Sequence, residues 1–335
     1  MGRLNPKVSA VIPCYNEAGN IIMMHQRLRS MFIQSELAYE IIFINNGSHD
    51  DSDSIFHEIV RADERVKVIS LSRNYGSQNA ISCGLEYAKG DCVVCLDGDI
   101  QDPPELIPQM VEKWREGFDV VYGVRSRRKG SIVRRACYKM FYRLFRKLSY
   151  VDVPLDAGDF ALMDRRVVRA VMSLPERNRF MRGLRAWVGF RQTGIEYTRE
   201  DRYSGKTTNS FMGNMRWAIM GIFSFSYKPL EMISVMAGLT VAISIIGIIV
   251  YVILYFVSPV RPPGFTTSIV AILFIGGMQL SSLAIIGEYL GRMFDEVKDR
   301  PLFLIDEILS QENTLGGNKG DQMTVTNEND NIIVR

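Results

Sequence analysis

The sequence has almost no excess of charge of either sign. Its 335 residues include 40 Lys and Arg against 37 Asp and Glu, so the formal net charge is only +3. A charge this small argues against a nucleic acid partner, because phosphate backbones bind strongly basic surfaces. The length is sufficient for one α/β domain of ordinary size and a further structural unit.

Cysteine is scarce, and the first residues contain no apolar run typical of a secretion signal. The cysteines all fall in the first half of the chain, at Cys14, Cys83, Cys92, Cys95 and Cys137. An odd count without a signal predicts reduced thiols in a cytoplasmic domain. Cys92 and Cys95 have the spacing of a redox or metal pair. Residues three apart on a strand point to opposite faces, however, which favours a structural role.

No Gly-x-Gly-x-x-Gly follows the first apolar run, so a dinucleotide-binding fingerprint is absent. Short apolar strands nevertheless alternate with helices through the first half of the chain. This alternation predicts a doubly wound, mostly parallel, Rossmann-like α/β sheet. The predicted strands are residues 8–13, 40–44, 66–70, 93–96 and 120–123, and the predicted helices are residues 20–32, 52–62 and 77–88.

The apolar strand at 93–96 runs directly into a pair of carboxylates, Asp97 and Asp99. Open α/β sheets bind ligands at the carboxyl ends of their strands, and Gly98 lets the backbone bend and a ligand approach. Two carboxylates at this spacing, with the carbonyl oxygen of Gln101 nearby, suit Mg²⁺ or Mn²⁺ carrying a diphosphate. A turn without function is the alternative, since Asp-x-Asp is a common pattern.

The loops after the first four predicted strands carry Asn, Ser, Asp and Glu side chains. Because the carboxyl ends of parallel strands share one edge of a sheet, these loops are expected to converge there. They comprise residues 15–17, 45–50, 72–76 and 97–101.

Two long apolar runs change the character of the chain after residue 229. Residues 232–257 carry no charged side chain and would span about 39 Å as a helix, against ~30 Å for a bilayer core. A second run at 267–290 follows a Pro-rich break, which predicts a transmembrane hairpin. Basic residues flank the hairpin and its loop has only Arg261, so both ends are expected in the cytoplasm. Two buried core helices are the weaker alternative.

The expected organisation has three parts. A cytoplasmic catalytic domain at 1–228 precedes the hairpin at 229–291 and a cytoplasmic tail at 292–335, disordered from about 310. Basic and apolar residues interleave at 131–150, which predicts an amphipathic helix on an anionic membrane surface. A surface helix packed on the sheet is the alternative. A second interfacial helix is expected at 207–226.

Several motifs, in order, resemble those of the inverting family-2 glycosyltransferases with a GT-A fold. They are Pro13-x-Tyr15-Asn16-Glu17, Asn46-Gly47-Ser48-x-Asp50, Ser72-Arg73-Asn74-Tyr75-Gly76 and Asp97-x-Asp99-x-Gln101-Asp102-Pro103-Pro104-Glu105. Later motifs and the hairpin are similar to the polyprenyl-phosphate sugar synthases. This branch includes dolichol-phosphate mannose synthase and, as the nearer resemblance, the bactoprenol glucosyltransferases. The later motifs include Gly158-Asp159-Phe160 and Gly287-Glu288-Tyr289-Leu290-Gly291-Arg292.

The resemblance implies roles for individual residues. The implied nucleotide-sugar-binding residues are Pro13, Tyr15, Asn16, Glu17, Asn46, Ser72, Arg73, Gly76, Asp97 and Gly98. The implied ligands of Mg²⁺ or Mn²⁺ are Asp97, Asp99 and Gln101. The implied catalytic residues are Asp159, Asp99, Arg202, Arg125 and Arg128. Among these, Asp159 would be the base near the acceptor, and the arginines would surround the phosphates.

The resemblance also implies the reaction and its setting. The expected activity is inverting transfer of a sugar, first of all glucose, from a UDP-sugar donor to undecaprenyl phosphate. The lipid-linked product would serve cell-surface glycan modification. The protein is expected in the cytoplasmic (inner) membrane, multi-pass, with both termini cytoplasmic. The lipid bilayer and a second copy of the chain are expected partners, since some family members are tetramers, and no nucleic acid is expected.

Departures from the family pattern keep alternatives open. Asn46 stands where the family usually has Asp, Ala161 where it has Arg, Ser77 where His is common, and Lys206 is shifted within its glycine loop. The donor could therefore carry N-acetylglucosamine or galactose. The chain could also be an inactive, membrane-anchored nucleotide-sugar-binding protein. A processive polysaccharide synthase is less well supported, because Arg216-Trp217 lacks the Gln expected before it.

Overall fold

The computed structural model describes residues 5–125, 151, 157–199, 223–257 and 264–311. The expected amphipathic helix at 131–150 lies outside these ranges, as does nearly all of the one at 207–226. Arg128, Arg202 and the Lys206 loop lie outside them as well, together with the tail beyond residue 311. The expectations for these segments stay predictions.

An eight-stranded sheet forms the centre of the described structure. Its strands are β1 (Lys7–Cys14), β2 (Ala38–Asn45), β3 (Val66–Leu71), β4 (Cys92–Cys95), β5 (Val120–Arg125), β6 (Ala157–Asp164), β7 (Gln192–Tyr197) and β8 (Ile305–Leu309). Their order across the sheet is β7-β5-β6-β4-β1-β2-β3-β8. The strands β6 and β8 run antiparallel to their neighbours, and the other pairings are parallel.

Helices cover both faces of this sheet. They are α1 (Ala18–Gln34), α2 (Ser52–Ala62), α3 (Ser77–Tyr87), α4 (Ile107–Arg115), α5 (Arg165–Met172) and α6 (Met181–Trp187), followed by α7 (Lys228–Val257) and α8 (Phe265–Val297). Apolar residues of α1, α2 and α4 pack in one core cluster, and those of α3, α5 and α6 pack in another. The predicted doubly wound, mostly parallel α/β class is confirmed.

The cysteines of the central strand have the structural role expected of them. Cys92 packs in the cluster under α1 and α4, and Cys95 packs in the cluster under α3 and α5, so the two face opposite sides. Both are free and buried. Burial raises the pKa of each thiol to about 12, so both stay protonated at neutral pH.

The strand β6 lies where the sequence pattern indicates a loop. Residues 156–160 look like an acidic loop, but the structure has β6 starting at Ala157 and running antiparallel to β4 and β5. An antiparallel strand begins at the edge where its parallel neighbours end. Asp159 therefore lies at the same edge as the end of β4. Since β7 is parallel to β5, Tyr197 and the residues after it reach that edge as well.

The helices α7 and α8 are two candidate membrane-spanning helices. Their apolar segments are Lys228–Leu254 and Ser268–Val297, and the most apolar 18 residues of each have mean hydropathies of 2.6 and 2.2, respectively. The most apolar window of each has none of its residues buried in the protein, which argues against core helices and for membrane association. The strand β8, which the sequence analysis did not predict, follows α8 and pairs with β3. The chain thus returns to the sheet after the apolar helices.

We predict that Gly84→Ala destabilises the contact between α3 and β1. A Cβ on Gly84 would lie 2.1 Å from Cγ1 of the fully buried Val11. Overpacking of this kind costs about 1–3 kcal/mol, which exceeds the gain of about 1 kcal/mol for Ala over Gly in a helix. Thermal unfolding in detergent should therefore occur at a lower temperature. The control is Gly238→Ala in α7, where a Cβ meets no atom within 4 Å of the described structure. Equal melting temperatures for the two variants would contradict the prediction.

Candidate active site

The loops after β1 and β2 meet at the carboxyl edge of the sheet. The backbone N–H of Asn16 donates to Ser48 Oγ at 3.0 Å, and its side-chain oxygen accepts from the backbone N–H of His49 at 2.8 Å. Asp50 accepts from the backbone N–H of Ala18 at 3.0 Å, at the start of α1. Asn16 has φ of +54°, a left-handed conformation that Asn tolerates better than most residues.

Asn46 links the loop after β2 to the loop after β3. Its side-chain oxygen accepts from the backbone N–H of Tyr75 at 2.9 Å, and its side-chain nitrogen donates to Asn74 Oδ1 at 3.1 Å. That Asn74 oxygen also accepts from the backbone N–H of Gly76 at 2.8 Å. A carboxylate in place of the Asn46 amide would face an acceptor oxygen. The amide therefore has a structural reason to stand here.

The acidic turn after β4 is shaped by its backbone. A Cβ on Gly98 would lie 2.9 Å from the carbonyl oxygen of Pro13, so only glycine fits against the end of β1. Ile100 has φ of +62°, a strained conformation for a β-branched residue. Such strain persists only where surrounding contacts hold it, and it is concentrated at functional sites. The backbone N–H of Gln101 donates to Asp99 Oδ1 at 3.2 Å and closes the turn.

One guanidinium lies among the carboxylates of this turn. An Nη of Arg199 is 3.5 Å from a carboxylate oxygen of Asp97 and 3.5 Å from one of Asp99, and its Nε is 3.6 Å from one of Asp102. The cluster still has an excess of negative charge. Burial, together with the charges of Asp102, Asp159 and Asp99, raises the pKa of Asp97 to about 7 against the opposing effect of Arg199.

Asp102 is the most deeply buried member of the cluster, with 0% exposure. The Tyr197 hydroxyl donates to it, and an Nη of Arg125 lies 3.9 Å away. Burial raises the pKa of Asp102 despite these partners. Arg125 also donates from Nε to the Tyr197 hydroxyl at 3.3 Å. The predicted residue Arg125 thus joins the acidic cluster through a tyrosine that the sequence analysis did not select.

Asp159 forms a second, oppositely balanced cluster at the same edge. Arg182 donates to both of its oxygens, at 3.0 and 3.1 Å, and Gln78 Nε2 donates at 3.3 Å. Burial would raise the pKa of Asp159, but the charge and hydrogen bonds of Arg182 outweigh it and hold that pKa below its usual value. Arg185, with 4% exposure, lies 3.4 Å from the carbonyl oxygen of Gly158. Burial lowers the pKa of Arg185 to about 10, so it remains charged at neutral pH.

The other residues expected to bind the nucleotide sugar lie along the same edge. Tyr15 is 37% exposed and sits edge-on to His49 at 6.5 Å between ring centroids. Glu17 accepts from the Asn20 side chain at the start of α1. Arg73 stacks over the Tyr75 ring at 4.1 Å. Ser72 Oγ forms a hydrogen bond with the Tyr75 hydroxyl at 3.0 Å, and the backbone N–H of Ser72 donates to the Leu304 carbonyl at 3.0 Å.

Six residues of the candidate site were not predicted from the sequence: Asp102, Gln78, Arg182, Arg185, Tyr197 and Arg199. Asp102 lies within the acidic motif, and Arg199 follows the end of a strand, so both carried a signal that could have been used. Arg182 and Arg185 lie on a short helix, and no sequence motif was used to assign them to the site. Their proximity to Asp159 depends on tertiary packing. Arg125, by contrast, was among the predicted residues, and it lies beside Asp102.

The acidic turn fits a divalent cation that arrives with a substrate. Asp97 and Asp99 offer hard oxygen ligands of the kind that Mg²⁺ and Mn²⁺ prefer. The raised pKa of Asp97 indicates negative charge that a cation would offset. Within the described ranges, no group of three or more His, Cys, Asp and Glu side chains is arranged to hold a metal by itself. Diphosphate and water oxygens would have to complete the coordination.

The strand topology and the acidic turn after β4 define a glycosyltransferase of the GT-A fold. The profile of the family described as Glycosyl transferase family 2 matches residues 9–172. An uncharacterised glycosyltransferase from Synechocystis is 42% identical over 307 residues, which cover 91% of this chain and 96% of that protein. The chain belongs to glycosyltransferase family 2, which confirms the predicted family and enzyme class.

Relatives with more specific names are also similar over most of their length. A bactoprenol glucosyl transferase from Shigella flexneri, derived from prophage SfII, is 38% identical over 304 residues, covering 89% of this chain and 97% of that protein. Among solved structures, a mannosyltransferase from Pyrobaculum calidifontis in complex with GDP-mannose and Mn²⁺ is 15% identical, with a TM-score of 0.43. That alignment covers 86% of this chain and 88% of the other.

We predict that Arg182→Gln destabilises the protein mainly at neutral pH. Asp159 has a lowered pKa, so its ion pair stabilises the fold above the unfolded pKa of about 4 and is lost as pH falls through the folded pKa. The two side chains are only 25% and 13% exposed, so breaking the pair leaves the Asp159 charge with less compensation and costs up to about 3 kcal/mol. The melting temperature of the variant should therefore fall clearly below wild type at pH 7. The difference should narrow below about pH 4, where Asp159 of the variant is neutral.

The control for this prediction removes one positive charge from an exposed pair. Lys113→Gln breaks the contact with Glu116 on the same helix. The side chains of Lys113 and Glu116 are 44% and 51% exposed. Exposed pairs contribute little, so this variant should melt close to wild type at both pH values. A deficit in Arg182→Gln that stays constant with pH would contradict the role assigned to Asp159.

Proposed function

We propose that the protein transfers a sugar, with glucose as the first candidate, from a UDP-sugar to undecaprenyl phosphate with inversion. The proposal is supported by relatives named bactoprenol glucosyl transferase that align over 89% of this chain. The observation that carries it is the placement of two clusters of opposite charge balance at one edge of the sheet. One cluster, around Asp97 and Asp99, has excess negative charge, and the other, around Arg182 and Arg185, is rich in arginine.

The acidic cluster suits the donor. A divalent cation, Mg²⁺ or Mn²⁺, held by Asp97 and Asp99 with Gln101 beside them, would neutralise the leaving diphosphate. The loops that Asn16 and Asn46 hold together border this turn, so the nucleotide would lie across the ends of β1, β2 and β3. Open α/β sheets bind nucleotides at this position.

The arginine cluster suits the acceptor phosphate. A phosphate monoester has a second pKa of about 6 and is already ionised near pH 7, so a strong general base is not required. Guanidinium groups offer planar, paired hydrogen bonds to phosphate. Asp159 has a lowered pKa and is therefore a weak base. Its proposed role is to orient Arg182 in the path of the acceptor rather than to remove a proton.

The reaction has a simple geometry. The acceptor oxygen attacks the anomeric carbon in line with the leaving diphosphate, so that an α-linked donor gives a β-linked lipid product. The proposed setting is the cytoplasmic face of the inner membrane, with α7 and α8 as a membrane hairpin and both termini cytoplasmic. Membrane association would concentrate the lipid acceptor near the active site. Association into a homo-oligomer such as a tetramer also belongs to the proposal.

The direct test is transfer of labelled sugar from a panel of nucleotide sugars to undecaprenyl phosphate in detergent with Mg²⁺ or Mn²⁺. A metal-dependent lipid-linked product from UDP-glucose is expected. A product from UDP-N-acetylglucosamine or UDP-galactose instead would keep the reaction and correct the sugar. No product from any donor, with UDP still bound, would favour a nucleotide-sugar-binding protein.

We predict that Asp99→Asn lowers transfer roughly 100-fold or more, because a metal-ion site supplies several kcal/mol of charge stabilisation in the transition state. The measurement is kcat at saturating donor and acceptor. The matched control, Glu64→Gln, removes an exposed carboxylate ahead of β3 and should leave kcat unchanged. Full activity in the Asp99 variant would exclude its proposed metal role.

We also predict that Arg199→Gln strengthens Mn²⁺ binding in the absence of nucleotide. The guanidinium contacts the acidic turn at 3.5–3.6 Å, distances of ion pairs rather than of short hydrogen bonds. It therefore competes with a cation for the same carboxylates. Removing it should tighten Mn²⁺ binding by about tenfold, measured by electron paramagnetic resonance. Arg169→Gln, on the exposed face of α5, is the charge-matched control. Unchanged or weaker binding in the Arg199 variant would contradict this competition.

A further inference from the structure

The last turns of α8 contact the main chain that leads into α6. The Glu296 carboxylate accepts from the backbone N–H of Arg177 at 2.9 and 3.0 Å and from that of Asn178 at 3.3 Å. Asp299 pairs with the Arg177 side chain. Because the Glu296 contacts are made to backbone donors, they position the chain itself and not only a side chain.

A second contact joins the apolar helices to α6 from the other side. A Cβ on Gly183 would lie 2.2 Å from Cε2 of Phe225, so α6 packs directly on the segment that leads into α7. Phe180, just before α6, also packs on Phe225 with 6.1 Å between ring centroids. The Tyr289 hydroxyl of α8 donates to the carbonyl of Ser226 at 2.6 Å, which ties this segment to the second apolar helix.

The residues at the start of α6 also contact the active site. Gln78 Oε1 accepts from the backbone N–H of Met181, the first residue of α6, at 2.7 Å. The next residue, Arg182, makes the two hydrogen bonds to Asp159, and Gln78 contacts the same carboxylate through Nε2. The short helix α6 thus lies between the ends of α7 and α8 and the arginine cluster of the site.

We propose that Glu296 is a positioning residue through which the α7–α8 hairpin sets the place of α6, and with it Arg182 and Arg185. The insertion of the hairpin in a bilayer would then determine the geometry of the acceptor phosphate site. The identity of the acceptor in this inference rests on the proposed function. The contact of Glu296 with the Arg177 segment does not depend on that function.

The dimensions of α8 agree with this arrangement. Its 33 residues would span about 50 Å, against ~30 Å for a hydrocarbon core, so one end extends beyond the apolar layer. Glu296 lies in the last turn, and β8 starts at Ile305 and pairs with β3. The end of α8 is therefore held by the sheet on one side and by the Arg177 segment on the other. A small movement of this end would move α6, and a misplacement of about 1 Å can cost roughly 100-fold in rate.

The test compares Glu296→Ala with Asp295→Ala in the full-length protein in lipid nanodiscs. Asp295 is an exposed neighbour in the same helical turn, so both variants lose one negative charge at nearly the same place. The measurements are hydrogen exchange of residues 177–187, the Kd for UDP with Mn²⁺, and kcat for transfer to undecaprenyl phosphate. A third variant, Glu296→Gln, keeps a side-chain oxygen that can accept from the backbone N–H groups.

Faster exchange of 177–187 and a kcat lowered roughly 10-fold to 100-fold are expected in Glu296→Ala, with the Kd for UDP unchanged. Asp295→Ala should match wild type, and Glu296→Gln should recover most of kcat. Equal behaviour of the two alanine variants would overturn the proposal. Loss of UDP binding together with kcat would also overturn it, because it would indicate general destabilisation. If wild type transfers no sugar to the lipid, the proposed function fails, and the exchange comparison alone decides whether Glu296 holds α6.

Discussion

Repulsion among carboxylates at the end of β4 is the constraint on which the active site depends. Asp97, Asp99 and Asp102 lie together against Arg199, with Arg125 also beside Asp102, and burial and mutual charge raise the pKa of Asp97 to about 7. Such a cluster is costly unless cations offset it. Arg199, which follows β7, supplies part of the compensating positive charge. The remaining excess of negative charge is what makes the turn suitable for a divalent cation bound to diphosphate.

The neighbouring cluster has the opposite balance for an equally direct reason. Asp159 is largely buried, with its side chain 13% exposed, but paired hydrogen bonds from Arg182 keep it ionised, and Arg185 adds a buried positive charge. The two clusters meet because β6 is antiparallel to β4 and begins where β4 ends. The proposed reaction brings two phosphate-bearing substrates together. A cation on the acidic side of this edge and arginines on the basic side would reduce the repulsion between the two substrates.

The apolar helices and the segments next to them contact the residues around the candidate active site. The chain leaves the α/β fold at α7, returns as β8 and closes the far edge of the sheet beside β3. On the way it contacts the segment before α6 through Glu296 and supports Phe225 through Tyr289 and Ser226. The same connection places Leu304 against Ser72 in the loop after β3. Contacts from the hairpin region therefore reach both sides of the site.

The sequence by itself determined the first five strands, the first three helices, the turn with Asp97 and Asp99, and two long apolar helices. It also predicted Arg125 and Asp159 as site residues. Each of these depends on a local pattern, such as an apolar run of fixed length or a glycine between two carboxylates. Only the tertiary structure decided the antiparallel direction of β6, the pairing of β8 with β3, and the meeting of Arg199 with Asp97 and of Arg182 with Asp159. These pairings join residues that are far apart in the chain. Their partners are selected by strand order and helix packing, which no short stretch of sequence encodes.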